Sequence, residues 1–109
     1  SGKVYWDLVA ERDKRERGDV TIMRVEELYP LPTQELRDAL LPYSHSALRW
    51  VQEEPSNQGA WSYIAVNFPE HVGRSLSVAA RPASASPAAG TMKRHKAEHV
   101  ELLERAFAP

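Results

Sequence analysis

The stretch VQEEPSNQGAW, residues 51–61, decides how this chain is expected to fold. It begins at the last residue of the apolar run 47–51, which is typical of a buried strand. It is followed by apolar residues with helical spacing at 60–68. A strand that passes into a helix through a short connection is the repeating unit of α/β proteins, and ligands and partners bind at the carboxyl ends of such strands. The polar groups in this stretch could therefore either cap the following helix or contact a ligand or partner.

Towards the amino terminus, the sequence predicts a helix, a strand and a second helix. Apolar residues from Val4 to Val9 have helical spacing, and Gly18 is expected to end that helix because glycine readily adopts a left-handed conformation. Residues 19–25 are β-branched and apolar, which is typical of a mostly buried strand. A rigid connection with two prolines then leads to a short helix at 33–41, which a further proline ends.

Towards the carboxyl terminus, the helix at 60–68 is expected to end at Pro69, and a strand follows at 76–80. Residues 81–90, RPASASPAAG, are small and proline-containing and predict a loop. Thr91 is expected to cap a last helix. The stripe of that helix consists of Met92, His95, His99, Leu102, Leu103, Ala106 and Phe107.

Alternating strands and helices predict an α/β fold with a parallel or mainly parallel sheet covered on both faces. The length of 109 residues fits one domain, spanning residues 1–109. The chain does not begin with methionine, and Ser1-Gly2 is typical of the turn between a strand and a helix. We therefore expect a fragment of a larger chain that lacks its first strand.

Composition argues against several classes of function. The chain has 14 basic and 15 acidic residues and a net charge of −1, so it has no basic stripe for nucleic acid or for a membrane surface. It contains no cysteine, which leaves no disulfide framework and no thiolate nucleophile. No apolar run approaches the roughly 20 residues of a membrane-spanning helix. The absence of cysteine suits a reducing compartment, and we expect a cytoplasmic protein.

His95 and His99 lie in the sequence HKAEH, which matches the inverted zinc-protease motif. Two imidazoles four residues apart share a helical face, as a zinc site requires. No third ligand is evident, however, and the same face continues as an apolar stripe. Packing of this helix on the sheet is therefore favoured over a small zinc hydrolase.

Glu53 and Glu54 have three interpretations. As neighbours in an extended segment they point to opposite sides, so they do not converge as an acid–base pair. They could favour the dipole of the following helix, with Asn57 as its N-cap. They could also form a contact surface with Asn57 and Gln58, in which Trp61 is the buried anchor.

The segment RPASASP, residues 81–87, offers backbone N–H groups, two hydroxyls and the Arg81 guanidinium near a helix start, which suits an anion. It lacks the glycine and lysine spacing of a phosphate-binding loop. Two alternatives stay open for it. One is a connector that lies on a neighbouring surface, and the other is part of a free-standing α/β module that binds a nucleotide or phosphorylated ligand.

Four stretches that together cover essentially the whole chain resemble one known family. They are GKVYWDL (2–8), RVEELYPLP (24–32), VQEEPSNQGAW (51–61), and RPASASP (81–87) with the later His95. They resemble the carboxy-terminal domain of the thiamine-diphosphate-dependent 2-oxoglutarate dehydrogenase, the decarboxylating first component of its complex, within the transketolase-like superfamily. The combination of EEPSNQGAW with RPASASP is specific, whereas LYPLP is shared more loosely. His99 stands where the family is expected to carry glutamine, which weakens the zinc interpretation.

The resemblance implies a three-layer α/β/α sandwich whose first strand lies just before Ser1. It implies that the whole enzyme decarboxylates 2-oxoglutarate oxidatively and transfers succinyl to lipoyl groups in the tricarboxylic acid cycle. Thiamine diphosphate and Mg²⁺ would bind where the two preceding domains of paired subunits meet. No cofactor-binding, metal-binding or catalytic residue is therefore assigned to this segment.

The resemblance also implies partners for this segment. These are the preceding domains of the same chain, a second subunit in a homodimer, and the lipoyl and acyltransferase component of the complex. The expected role is structural, in packing on the thiamine-binding domains and supporting the dimer. The residues predicted to form the domain or subunit contact are Glu53, Glu54, Asn57, Gln58, Trp61, Arg81, Ser84 and Ser86.

Overall fold

The computed structural model describes residues 2–83 and 92–109. Helices and strands alternate along most of this part of the chain, as the sequence predicts. The elements are α1 (Gly2–Lys14), α2 (Thr33–Leu40), a 3₁₀ turn (Leu41–Tyr43), β1 (Arg49–Pro55), α3 (Trp61–Val72), β2 (Ser77–Arg81) and α4 (Met92–Ala106). No helix among the described residues is both long enough and apolar enough to cross a membrane.

The two strands form a parallel sheet, and α3 is the crossover between them. Arg49 lies opposite Ser77 and Val51 opposite Ala79, and the register becomes irregular before Pro55. The sheet confirms the predicted α/β class with parallel pairing. β1 is longer than the predicted strand because Gln52 to Pro55 continue it instead of starting a loop.

The sheet separates two buried apolar clusters, which correspond to two helical layers. The α1/α4 cluster consists of Val4, Leu8, Ala79, Leu102 and Phe107, with Val51 packed against it. The α2/α3 cluster consists of Leu40, Ile64, Phe68 and Val72, with Trp50 packed against it. Since neighbouring strand residues point to opposite faces, Trp50 and Val51 join different clusters. The arrangement is an α/β/α sandwich built on a small sheet.

Arg49 secures the α1/α4 layer to the start of β1. Its guanidinium Nη1 lies 2.6 Å from the carbonyl oxygen of Arg105, 3.0 Å from that of Ala106 and 2.9 Å from that of Ala108. The last carbonyl groups of a helix lack partners within the helix, and a cation there also complements the helix dipole. The start of β1 and the end of α4 are therefore held together.

The strand predicted at 19–25 does not form. Val20 and Ile22 pack against the α1/α4 cluster. Residues 21–25, however, form no backbone-to-backbone hydrogen bond within the described part of the chain. The prediction is wrong because strand structure requires a neighbouring backbone, and the sheet formed by the described residues consists of β1 and β2.

The end of α1 also differs from the prediction. The left-handed residue is Glu16, with φ of 55°, and not Gly18. The N–H of Arg17 bonds to the carbonyl of Arg12 at 3.1 Å, and the N–H of Glu16 bonds to that of Asp13 at 3.2 Å. These two bonds form a Schellman motif, which satisfies the last carbonyl groups before Gly18 is reached.

Pro69 does not end α3, as the sequence predicts, but lies inside it. The helix continues to Val72, which is buried in the α2/α3 cluster, and it ends at Gly73 with φ of 81°. A proline removes one helical hydrogen bond, and the burial of Val72 together with the Gly73 cap compensates for that loss. The predicted cap Thr91 lies outside the described residues.

Candidate functional site

Gln52, near the end of β1, organises the polar connection between β1 and α3. Its side chain is buried, with 3% of the residue exposed. Its Nε2 atom lies 2.8 Å from the carbonyl oxygen of Gln58, 3.0 Å from that of Pro55 and 3.3 Å from that of Glu54. One buried amide group therefore contacts three carbonyl groups of the connection and fixes the shape of the connection.

The other end of the same amide caps α3. Gln52 Oε1 accepts hydrogen bonds from the backbone N–H of Trp61 and from the indole Nε1 of Trp50, both at 2.9 Å. The residue before the helix is Ala60, which has no side-chain capping bond. The prediction that Asn57 caps this helix is therefore wrong: a side chain from the neighbouring strand satisfies the free N–H group.

Gly59 allows the connection to turn closely against the end of β1. Its φ is 67°, in the left-handed region. A Cβ atom on Gly59 would lie 3.0 Å from Cβ and 3.1 Å from Cγ and Cδ of Glu54. The side chain of Glu54 thus lies directly over this glycine while the residue remains exposed. Only glycine combines this backbone conformation with so close an approach.

Arg81, at the end of β2, is buried and connects the two strand ends. Its guanidinium Nε donates to the backbone carbonyl of Glu53, and its backbone carbonyl accepts from the N–H of Ser56 at 3.0 Å. Its Nη1 lies 3.7 Å from Glu98 Oε1 on α4, and Glu98 Oε2 lies 3.1 Å from Arg94 Nε. The predicted contact residue Arg81 therefore links both strands to the α4 layer.

Trp61 lies at the start of α3 and packs, half-buried, against the α2/α3 cluster. Glu54 and Asn57 are exposed, whereas Glu53 and Gln58 are half-buried. The structure therefore brings six of the predicted contact residues together at the carboxyl ends of β1 and β2. The two others, Ser84 and Ser86, lie outside the described residues.

The histidines of the HKAEH motif lie on α4 and are both half-buried. His99 Nε2 lies 3.5 Å from Asp7 Oδ2 on α1, so this imidazole contacts the neighbouring helix. Residues 2–83 and 92–109 contain no group of three or more His, Cys, Asp or Glu side chains that could hold a metal ion. His95 and His99 therefore lack the further ligands that a zinc or magnesium site needs, and we assign no metal ligand to either.

Gln52 is the residue of this site that sequence reasoning missed. The prediction concentrated on the carboxylates and amides after the strand, because they stand in a polar connection. The available signal was a lone amide inside an apolar strand. Burial of such a group requires hydrogen-bond partners, and the adjacent connection is the nearest source of backbone groups.

Comparison with known proteins gives consistent matches over the whole chain. The family described as 2-oxoglutarate dehydrogenase C-terminal matches residues 1–107. A protein named 2-oxoglutarate dehydrogenase E1 component from Haemophilus influenzae is 46% identical over 99% of this chain. Proteins of the same name from Cupriavidus necator and Brucella anthropi are 44% and 45% identical over 99% and 98% of it. The chain spans about 12% of the length of the first two relatives and 11% of the third.

Proposed function

The chain belongs to the 2-oxoglutarate dehydrogenase C-terminal family, and from that premise we propose that it is the carboxy-terminal, non-catalytic assembly domain of a 2-oxoglutarate dehydrogenase. The whole enzyme decarboxylates 2-oxoglutarate oxidatively and passes the succinyl group to the lipoyl groups of an acyltransferase component. Its thiamine diphosphate and Mg²⁺ bind to the preceding domains. The enzyme works as a homodimer in the bacterial cytoplasm.

The observation that carries the assembly role is the way in which Gln52 shapes the connection between β1 and α3. A buried amide fixes the inner side of the connection, through hydrogen bonds to Gln58, Pro55 and the start of α3. The outer side presents the exposed residues Glu54 and Asn57. A surface that is already rigid before binding loses little conformational entropy on contact, which suits a permanent domain or subunit interface.

The position of this surface supports the same role. It lies at the carboxyl ends of two parallel strands, where open α/β sheets present their binding surfaces. Glu54 and Asn57 supply hydrogen-bonding groups at its rim, and Trp61 supplies a large apolar side chain beside them. A polar rim with an aromatic residue at its base is the composition that specific protein interfaces favour.

The reaction is tested on the full-length enzyme. Purified protein should release CO₂ from 2-oxoglutarate when thiamine diphosphate and Mg²⁺ are present, and it should succinylate lipoyl groups. Pyruvate and 2-oxoisovalerate are the control substrates. A full-length protein that does not act on 2-oxoglutarate, or that prefers pyruvate or 2-oxoisovalerate, would contradict the proposal.

The assembly role is tested with the double variant Glu54→Ala/Asn57→Ala in the full-length enzyme. Both residues are exposed, and the free energy of unfolding is measured in parallel so that a weakened fold is distinguished from a weakened interface. Sedimentation analysis should show a dimer dissociation constant raised at least about tenfold, as expected for a loss of about 1.4 kcal/mol.

The matched control for this experiment is Glu70→Ala, an exposed substitution on α3. It should leave both dimerisation and stability unchanged. If Glu54→Ala/Asn57→Ala dimerises like the control while retaining full activity, this surface is not part of the subunit interface, and the assembly role must be assigned elsewhere.

A further inference from the structure

A cavity of about 460 Å³ lies where the two parallel strands begin. One wall consists of residues 44–48, which lead into β1, and the other consists of residues 74–77, which lead into β2. Arg49 and Ser77 are paired in the sheet, so the two walls are neighbours. This amino-end cavity is therefore at the opposite edge of the sheet from the connection that Gln52 organises.

The side chains of the amino-end cavity are mostly hydrogen-bond donors. Within residues 2–83 and 92–109, no Asp or Glu side chain lines it. Its polar residues are Arg74, His45, Ser44, Ser46, Ser75 and Ser77. A guanidinium is positively charged and only donates hydrogen bonds, and hydroxyl and imidazole groups can donate as well. A metal ion such as Ca²⁺ or Mg²⁺ prefers carboxylate oxygens, so this set of groups suits an anion better than a cation.

Arg74 is held in place by the segment that precedes β1. Its Nη2 lies 3.1 Å from the carbonyl oxygen of Tyr43 and 2.8 Å from that of Ser46. No carboxylate in the part of the chain that the structure describes forms an ion pair with it. A guanidinium has five N–H groups, so those on Nε and Nη1 remain available to an anion. A positive charge that is already fixed loses little conformational freedom on binding.

Backbone N–H groups and hydroxyls add to these donors. The N–H groups of Ser75 and Leu76 make no backbone-to-backbone hydrogen bond with any described residue, although both residues line the cavity. Ser77 is different, because its hydroxyl accepts from Arg49 Nε at 3.1 Å and lies 3.4 Å from the carbonyl oxygen of Leu48. Ser75 is exposed, so its hydroxyl can turn towards a ligand.

We propose that the amino-end cavity binds the phosphate group of a small phosphorylated compound. Arg74 donates its remaining N–H groups to the phosphate oxygens, as arginine does in many phosphate sites. The hydroxyl and the backbone N–H of Ser75 bond to the same group. Leu48 and Leu76 also line the cavity, and they contact the apolar part of the compound.

The size of the amino-end cavity favours a whole compound over a free phosphate ion. Its volume of about 460 Å³ lies within the range of about 300–1,000 Å³ that is usual for small-molecule pockets. The inference goes beyond the proposed function, because this cavity and the proposed assembly surface have no residue in common. The two can therefore fail independently.

The experiment is isothermal titration calorimetry on the full-length enzyme, saturated with thiamine diphosphate and Mg²⁺ so that the cofactor site does not take up the probe. The probes are phenyl phosphate and inorganic phosphate. We expect one phenyl phosphate to bind per chain, more tightly than inorganic phosphate, because its ring contacts Leu48 and Leu76. Phenol lacks the phosphate and should not bind detectably.

Two variants locate the binding at this cavity. Arg74→Gln should weaken the binding of phenyl phosphate at least about tenfold, because it removes a charge-assisted hydrogen bond. Its matched control is Arg37→Gln, since Arg37 also donates to a backbone carbonyl, that of His71, but lies outside the cavity. This control should bind phenyl phosphate as the unmodified enzyme does.

The second variant keeps Arg74 and its bonds to Tyr43 and Ser46. Ser75→Asp adds a carboxylate to the wall of the cavity, and its repulsion of the phosphate should also weaken binding at least about tenfold. Ser75→Asn, which is of similar size and uncharged, is its control and should retain most of the affinity. Ser75 is exposed, so neither substitution disturbs a buried contact.

The proposal is overturned if neither probe binds, or if either Arg74→Gln or Ser75→Asp leaves the affinity for phenyl phosphate unchanged. An equal loss in Arg37→Gln would also overturn it, because the loss would then follow from net charge. If inorganic phosphate binds as tightly as phenyl phosphate, the site takes a free anion and the phosphorylated compound is excluded. These results do not depend on decarboxylation activity, which tests the proposed function separately.

Discussion

The sequence predicts strands at two apolar stretches, 47–51 and 19–25, and the structure treats the two differently. The first provides the start of β1 (Arg49–Pro55), which pairs with β2 and is covered by both helical layers. The second packs Val20 and Ile22 on one layer and has no backbone partner among the described residues. Apolar and β-branched residues favour an extended strand, but the strand forms only where a neighbouring strand supplies backbone hydrogen-bond partners.

The difference between the two stretches is also one of anchoring at their ends. β1 is fixed at its start by Arg49, which bonds to the end of α4, and near its end by the buried amide of Gln52. Residues 19–25 are fixed at their start, where the Arg17 guanidinium contacts Asp19 and the carbonyl of Phe107. Three predictions follow the same comparison: they remove the helical cover of β1, the amide near the end of β1, and the guanidinium at the start of residues 19–25.

The largest effect is expected from Leu102→Ala, which removes the cover of one face of β1. Leu102 is 1% exposed and belongs to the cluster against which Val51 packs. Its truncation should lower the free energy of unfolding by about 2–5 kcal/mol, because a cavity forms where a buried side chain was. The measurement is urea denaturation followed by circular dichroism.

Val100→Ala on the same helix is the control for Leu102→Ala. Val100 is 56% exposed, so its truncation should change the free energy of unfolding by less than about 0.5 kcal/mol. Equal losses for the two variants would show that α4 does not cover the sheet in the way described.

A smaller effect is expected from Gln52→Leu, which removes the anchor near the end of β1. The N–H of Trp61 and the indole N–H of Trp50 would lose their acceptor, and the carbonyl of Gln58 would lose its donor. Each polar group left unsatisfied in a buried site costs about 1–3 kcal/mol, so we expect a loss of at least about 2 kcal/mol. Thermal unfolding measures this loss.

Gln34→Leu is the control for Gln52→Leu, because Gln34 is exposed and bonds within α2 to Asp38. It should change the free energy of unfolding by less than about 0.5 kcal/mol. If Gln52→Leu behaves like this control, the connection between β1 and α3 keeps its shape without the amide, and the assembly surface has another origin.

The smallest effect concerns the anchor of residues 19–25. The hydrogen bond from Arg17 is the main cause that holds the pKa of Asp19 below its ordinary value of 3.8. A lowered pKa in the folded state means that the stabilisation is present above pH 3.8 and is lost as the pH falls below it, through the folded-state pKa. An NMR titration of the Asp19 carboxyl should therefore have its midpoint below 3.8.

Arg17→Gln should move that midpoint back towards 3.8. Arg94→Gln, whose ion pair is with Glu98 on α4, should leave it unchanged. An Asp19 midpoint that is the same in the protein and in Arg17→Gln would show that the two side chains do not interact in solution. The start of residues 19–25 would then be held by the hydrogen bond from Arg17 to the carbonyl of Phe107 and by the packing of Val20.

Much of the architecture could be predicted from local patterns. The spacing of apolar residues predicted four helices and the two strands that form, and their alternation predicted a parallel sheet. Six predicted contact residues do lie together, because the carboxyl ends of parallel strands meet at one edge of a sheet. Their role in contacting other domains stays a prediction.

The errors share a physical cause. The ends of α1 and α3, the cap of α3 and the state of residues 19–25 all depend on groups that are distant in the sequence or that compete locally. A glycine or proline signals where a chain can turn, but burial of Val72 outweighs Pro69, and Gln52 displaces Asn57 as the cap. Where a helix ends and which residue caps it therefore depend on tertiary contacts, which a local sequence pattern does not contain.

The sequence by itself determined the α/β class, the positions of most elements and the membership of the family, because each follows from residue type and spacing. The tertiary structure decided which of the predicted strands found a partner and which amide caps α3. It also brought Arg74 and the serines of two separate segments to one cavity where the strands begin. The physical reason is that hydrogen bonds and burial are satisfied between segments, so the state of a segment depends on what lies next to it.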